Sequence, residues 1–348
     1  ETGDHTSGLA LPGQPHLPGG TMSRRSQPAS MLDGSYRPSQ RGAALLTVLL
    51  VVALAATAVA GLIWRAEIEA HRVANQQRLY QARWVLGSAQ SWAASLLRWQ
   101  AARNPGATCL GGLWALPLPP TRLGRLPGLT IPEGTDRDLL DQVWLSGQIE
   151  DAQGHFNLTD LIRQLPGGKT DIEPSQLAVL HRLLQSLQLD PALARPIADR
   201  VLQLGAGLAA ASTPPLHSLD QLLDVAALTP AMLDRLRPYL VTLPESTPIN
   251  ANTASAIVLG AAIPALSSEA IASLVDRRKH VFLRQLADLQ LIMQSSLPPT
   301  VVPDLGNLDV DSHYFIIRMQ ARIDQVTVHR DTLIYRAPRT HQTQIISQ

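Results

Sequence analysis

The chain has 348 residues, 45 % of them hydrophobic and 16 % charged, and a net charge of +1. The apolar share excludes wholesale disorder, and the near-zero charge excludes nucleic-acid binding through bulk electrostatics. The single cysteine, Cys109, excludes an internal disulfide and a zinc site built on cysteine pairs.

Residues 1–42 are rich in Gly, Pro, Ser and Thr, lack apolar periodicity and carry Arg24, Arg25, Arg37 and Arg41. They read as a disordered basic leader, with Met22 as the natural start and residues 1–21 as an upstream extension. Residues 43–64, AALLTVLLVVALAATAVAGLIW, form a run of 22 residues without a charge. As a helix they span about 33 Å, roughly the thickness of a bilayer core. Soluble core helices rarely run so long uncharged, so the segment reads as a single membrane span. The arginines before it and Trp64-Arg65 after it predict a cytoplasmic N-terminus, with the rest of the chain on the far side of the membrane. The run starts too late for an ordinary secretory signal and lacks an A-x-A-like site behind it.

No proline occurs between residues 42 and 104, and Leu79, Ala82, Leu86, Ala89 and Ala93 recur at spacings of three and four. This predicts one helix from about residue 43 to about 98, greasy all round at first and one-sided later, with that stripe facing a partner helix. The Gly- and Pro-rich stretch 104–134 predicts a loop. In 144–161 two apolar runs flank Asp151-Ala152-Gln153-Gly154, which predicts a β-hairpin. Residues 171–295 read as helical throughout, with starts at Asp190-Pro191, Thr229-Pro230 and Ser267-Ser268-Glu269. Tyr314–Ile323 alternates with period two, Asp324-Gln325 turns, and Val326–Tyr335 returns. The fold class is α+β. It comprises residues 65–160 with the outer half of the helix, loop and first strands, an all-α insertion over 161–305, final strands over 306–337 and a tail at 338–348.

The junction Ser39-Gln40-Arg41-Gly42 before Ala43-Ala44-Leu45-Leu46-Thr47 resembles the type IV pilin and pseudopilin family. The resemblance implies cleavage after Gly42 by a prepilin peptidase at the cytoplasmic face, a mature chain starting at Ala43, and a pilin-like small antiparallel sheet. Members usually carry Glu at the fifth mature position; here it is Thr47. That departure, the stretch G-Q-I-E-D-A-Q-G-H-F-N-L over 147–158 and the helical insertion resemble the protein K family of type II secretion systems. This implies a minor pseudopilin in the bacterial inner membrane with a periplasmic C-terminal domain, helping to export folded proteins from the tip of a pseudopilus. The implied partners are other minor pseudopilins, the prepilin peptidase, the inner-membrane secretion platform and the lipid bilayer.

A rival signal lies in Ile249-Asn-Ala-Asn-Thr through Arg277-Arg278-Lys279, which resembles a helix-hairpin-helix and suggests a membrane-anchored DNA-binding protein. Its hairpin, Pro264-Ala-Leu-Ser-Ser268, lacks the glycines that let backbone N–H groups approach a phosphate, and the region has little excess positive charge. No nucleic-acid partner is expected. Gly205-Ala-Gly-Leu-Ala-Ala210 follows a helix rather than a strand, so it is no dinucleotide fingerprint. No catalytic constellation emerges, so the chain is read as a non-enzyme without a required cofactor. Relatives in the implied family bind calcium, and Glu150, Asp151, Asn157, Asp309 and Asp311 are the candidate oxygen ligands. The alternative for each is a turn-capping role.

Overall fold

A computed structural model describes residues 41–126, 137–205, 216, 218–298 and 304–347. The first helix, α1, runs Arg41–Arg103. It starts slightly earlier and ends slightly later than its sequence pattern predicts, so Gly42-Ala43 lies in its first turn. It stops at Asn104-Pro105, where proline lacks an N–H and disfavours helical backbone before it. The expected leader, up to residue 40, lies outside the described residues. The chain divides into two units after Glu67. In the first unit the large apolar side chains from Leu45 to Trp64 are exposed. Among the described residues, α1 is the one helix long and apolar enough to cross a membrane. Apolar surface on every side of a helix is stable only in an apolar medium.

In the second unit α1 is followed by β1 (Leu118–Arg122), α2 (Arg137–Gln142) and β2 (Val143–Asp151). Short strands β3 (Phe156–Asn157), β4 (Ile162–Gln164) and β5 (Thr170–Ile172) lead into α3 (Pro174–Ser186) and α4 (Ala194–Gly205). Then come α5 (Pro230–Leu236), β6 (Leu240–Val241), β7 (Ile249–Asn250), α6 (Ala256–Ala262), α7 (Ser268–His280), α8 (Leu286–Ser296) and β8 (Leu308–Asp309). The chain returns through β9 (Tyr314–Ile323), β10 (Val326–Arg336) and β11 (Thr343–Ser347). The helix starts follow their capping residues. Thr229 accepts from the Met232 N–H at 3.3 Å, Ser267 from Ala270 at 3.2 Å, and Glu173 precedes Pro174 at the first turn of α3.

One antiparallel sheet has the order β1-β2-β9-β10-β11. The β9–β10 hairpin turns where the sequence predicts, and Asp324 takes φ 52°, a left-handed conformation that aspartate tolerates better than most residues. Three expectations change. Part of the predicted loop forms β1, whose Pro119 and Pro120 are tolerable because the strand lies at an edge. The predicted tail contains β11, the opposite edge. The predicted hairpin over 144–161 does not form. β2 pairs with β1 and β9, Ala152–Gly154 winds into a 3-10 turn, and β3 pairs in parallel with β6. The reason is burial: Phe156, Leu158 and Leu161 are fully buried in the core of the helical block, not against the sheet. That block is mostly helical but also holds the two-stranded ladders β3-β6, β4-β5 and β7-β8.

The sheet packs on the second half of α1. Ala82, Leu86 and Ala89 meet Val143, Leu145, Ala321 and Ile323. Ala93 meets Ile317 and Ile334, and Leu97 meets Trp114 and Phe315. Alanine at positions 82, 89 and 93 lets the helix axis lie close to the sheet, while each buried leucine contributes about 2 kcal/mol. The stripe expected to face a partner helix is therefore filled by this chain's own sheet. A glutamate at position 82 or 89 would place an unpaired carboxylate in that contact. Ala89→Glu should lower the chain's own stability by about 3–5 kcal/mol, measured as a shifted denaturant midpoint; an unchanged midpoint refutes the packing.

Candidate functional site

On α1 the buried and free faces are now distinct. Ala82, Leu86, Ala89 and Ala93 are covered by the sheet and offer no assembly surface, whereas Leu79 is half-buried. The free face carries Tyr80, Arg83, Trp84, Gly87, Ser88 and Ser91 around a shallow recess. Trp84 is 80 % exposed, and a Cβ at Gly87 would meet nothing within 4 Å. The hydroxyls of Ser88 and Ser91 donate back to the carbonyls of Trp84 and Gly87 at 3.2 and 3.1 Å. They thus need no polar partner, and another helix can lie close over them. Thr47, in the exposed apolar part of α1, donates to the Ala44 carbonyl at 2.9 Å. Sequence spacing could not separate the two faces, because both carry small residues at intervals of three and four.

A second constellation joins the sheet to the helical block. Asp151, at the end of β2, is buried, and its Oδ2 accepts from Asn250 Nδ2 (2.9 Å), Thr253 Oγ1 (2.6 Å) and Ser312 Oγ (2.6 Å). Its Oδ1 accepts from the Gln153 N–H at 2.9 Å. Burial still dominates and pushes the carboxyl above its ordinary range. Beside it, Arg336 at the end of β10 donates to Thr108 Oγ1 (2.9 Å), Asp311 Oδ1 (3.0 Å) and the Ser312 carbonyl (2.7 Å). The Gln153 side chain accepts from the His313 and Tyr314 N–H groups and donates to the Pro248 carbonyl.

The candidate calcium ligands are not brought together. Glu150 pairs with Arg318, and Asp311 with Arg336 and Thr108. Asn157 Oδ1 accepts from the Thr159 and Leu243 N–H groups, and Asp309 Oδ1 from Val310 N–H. Among the described residues no group of three or more His, Cys, Asp or Glu could hold a metal ion. The oxygens named here accept from donors within the chain, which at Asn157 and Asp309 is the capping alternative.

The helix-hairpin-helix resemblance also has an internal explanation. Asn252 bridges to the Leu283 backbone through N–H and carbonyl, both at 2.8 Å, and Arg278 reaches the carbonyls of Ala251 and Ala254. The motif's asparagines and its central arginine are spent on the fold. Replacing Asp151 by Ala would strip Asn250, Thr253 and Ser312 of their shared acceptor. Asp151→Ala should cost about 2–4 kcal/mol of stability in a denaturant melt, whereas a change within error would show that the joint is dispensable.

Known proteins are similar to this chain in sequence and in fold. The family model for "Type II secretion system (T2SS), protein K" matches residues 154–245 and 249–307. Type II secretion system protein K of Pseudomonas aeruginosa is 31 % identical over 250 residues, covering 65 % of this chain and 68 % of that protein. The protein K of Pectobacterium carotovorum subsp. carotovorum is 26 % identical over 327 residues, covering 86 % and 93 %. The crystal structure of the GspK-GspI-GspJ complex from enterotoxigenic Escherichia coli contains a chain of the same fold, with a TM-score of 0.58, 20 % identity and coverage of 79 % of this chain and 98 % of that one. With a long apolar helix, an antiparallel sheet and a helical block between β2 and β9, the chain belongs to the type II secretion system protein K family.

Proposed function

We propose that this chain is the minor pseudopilin at the tip of a type II secretion pseudopilus, where it helps export folded proteins across the outer membrane. The observation that carries the reading is the placement of the helical block. β2 and β9 are adjacent in the sheet, with Asp151 opposite Phe315, yet the whole block lies between them in sequence. A block of that size hung on the sheet would obstruct a subunit stacked above, and only an end position leaves room. Thr47 supports an end position too. It offers no carboxylate to a neighbour's N-terminal ammonium, while this chain's own ammonium at Ala43 remains available.

In this reading a prepilin peptidase cleaves between Gly42 and Ala43 on the cytoplasmic side. Residues 43–64 anchor the chain in the inner membrane near the secretion platform, and the C-terminal domain is periplasmic. Two other minor pseudopilins dock on the face of Tyr80, Trp84, Gly87, Ser88 and Ser91. The complex named for the enterotoxigenic E. coli neighbour, GspK with GspI and GspJ, supports partners of that kind. The test combines Edman sequencing of the membrane-extracted protein with light scattering of the extracted chain and its two candidate partners. The mature protein should begin at Ala43. Gly87→Glu should abolish the complex while leaving the melting temperature unchanged, and Ala89→Glu should lower the melting temperature. A different mature N-terminus, or a complex indifferent to Gly87→Glu, refutes the corresponding part of the proposal.

A further inference from the structure

Past Glu69 the helix α1 carries cations without a matching acid. Residues 70–132 contain no aspartate or glutamate, whereas Arg72, Arg78, Arg83, Arg98 and Arg103 all lie on α1. Arg72 is neutralised within the chain by Glu69 at 3.2 Å, and Arg78 by Asp324 at 2.9 Å. Among the described residues Arg83, Arg98 and Arg103 form no ion pair. Arg103 instead lies over the Trp99 ring, 4.6 Å from its centre.

The unpaired Arg98 is held in position. Its Nη2 donates to Ser95 Oγ at 2.8 Å, and that hydroxyl donates in turn to the Ser91 carbonyl at 2.9 Å. One of the five guanidinium N–H groups is thereby used, and the others stay open to a partner. Tyr80, Trp84, Gly87, Ser91, Ser95 and Arg98 follow one another at spacings of four and three, so they form one row on the face turned away from the sheet. The row is about 27 Å long. Its middle is low, between the Trp84 indole and the Arg98 guanidinium, and Arg83 lines the recess at the Trp84 end.

A hydrated guanidinium on an open surface needs no counter-charge. Once a partner covers it, water is lost and a carboxylate must replace what hydration supplied. Any chain that lies along this row must therefore bring its own acid. A second copy of this chain brings none on its matching face: it would set Arg83 and Arg98 against Arg83 and Arg98, and like charges brought together across an interface are repelled. The straight row with a low middle suits a rod, and small side chains at Gly87, Ser91 and Ser95 let a helix axis come close.

We propose that the row from Trp84 to Arg98 receives an acidic helix of one partner pseudopilin, whose carboxylates pair with Arg98 and Arg83, and that the same two cations turn away a second copy of this chain. The proposal rests on the assembly reading above and adds the chemistry that selects the partner. Arg98, fixed by Ser95 before the partner arrives, loses little freedom on pairing, and its planar fork suits a carboxylate.

Titrating the full-length chain in detergent with each of its two candidate partner pseudopilins tests this, with binding followed by light scattering. For one partner the dissociation constant should rise about tenfold between low salt and about 0.5 M NaCl. Arg98→Glu should raise it about a hundredfold at low salt, and Arg98→Gln about tenfold with a flatter salt response. Arg277→Glu, the same change of net charge at an exposed position of α7, should leave it unchanged. The melting temperature should be the same in all four proteins. A complex that forms but is indifferent to salt and to Arg98→Glu overturns the acidic partner and leaves the assembly reading standing. Self-association of the wild-type chain that Arg98→Glu alters also overturns the proposal. Absence of any complex with either partner at low salt overturns both.

Discussion

The second unit depends on one geometric constraint: a block of more than a hundred residues must leave the sheet from the end of β2 and return at the start of β9, its immediate neighbour. The Asp151 constellation meets it. Asp151 belongs to the departing strand, Ser312 to the returning segment, Asn250 and Thr253 to the middle of the block, and all converge on one carboxylate. Arg336 adds the end of β10 and, through Thr108, the loop after α1. Five stretches distant in sequence are thus held at one corner. Such a joint contributes more to uniqueness than to net stability, because dehydrating the groups offsets much of what their bonds return. An apolar joint would let the block shift on the sheet; directional bonds to one buried carboxylate do not.

The contact between α1 and the sheet obeys a different rule. Here apolar contact covers most of the interface, with Arg336 reaching the Leu97 carbonyl and Arg78 pairing with Asp324, and distance decides the packing between them. Ala82, Ala89 and Ala93 present little more than a methyl group, so Leu86 and Leu97 can reach between the strand side chains. The same economy leaves the opposite face free to differ, with Trp84 and Tyr80 standing out from Gly87. A helix that must serve a sheet on one side and neighbours on the other needs two faces of unlike texture. Alanine with leucine against aromatic with glycine and serine supplies them.

The sequence made some of this legible and hid the rest for physical reasons. Membrane-length apolarity, proline-marked helix boundaries and period-two alternation depend on local residue types, so α1, the capped helices and the β9–β10 hairpin could be read directly. Partner choice is not local. The apolar run before Asp151 identifies a strand but not its neighbours, and the adjacent turn residues suggested a hairpin where β2 instead pairs across the whole insertion. The stripe on α1 was visible, yet its occupant was not, since a sheet and a second helix make the same demand for small apolar residues. Asp151 and Asp311 stood out in the sequence as candidate oxygen ligands. Their donors, Asn250, Thr253, Ser312 and Arg336, come from remote segments that no spacing rule connects.

The two buried carboxylates Asp151 and Asp160 join unlike numbers of segments. Asp151 receives three side-chain donors and one N–H, drawn from the end of β2, the middle of the block and the segment before β9. Asp160 faces a single short segment and reaches it through the Thr247 N–H, with Asn157 bridging the rest. The position of the matched stretches fits this division. Asp151 and Ser312 lie just outside residues 154–307, where the block meets the sheet, while Asp160 acts on the short gap inside it. The wider joint thus sits where the block meets the sheet, and the narrower one where its two matched stretches adjoin.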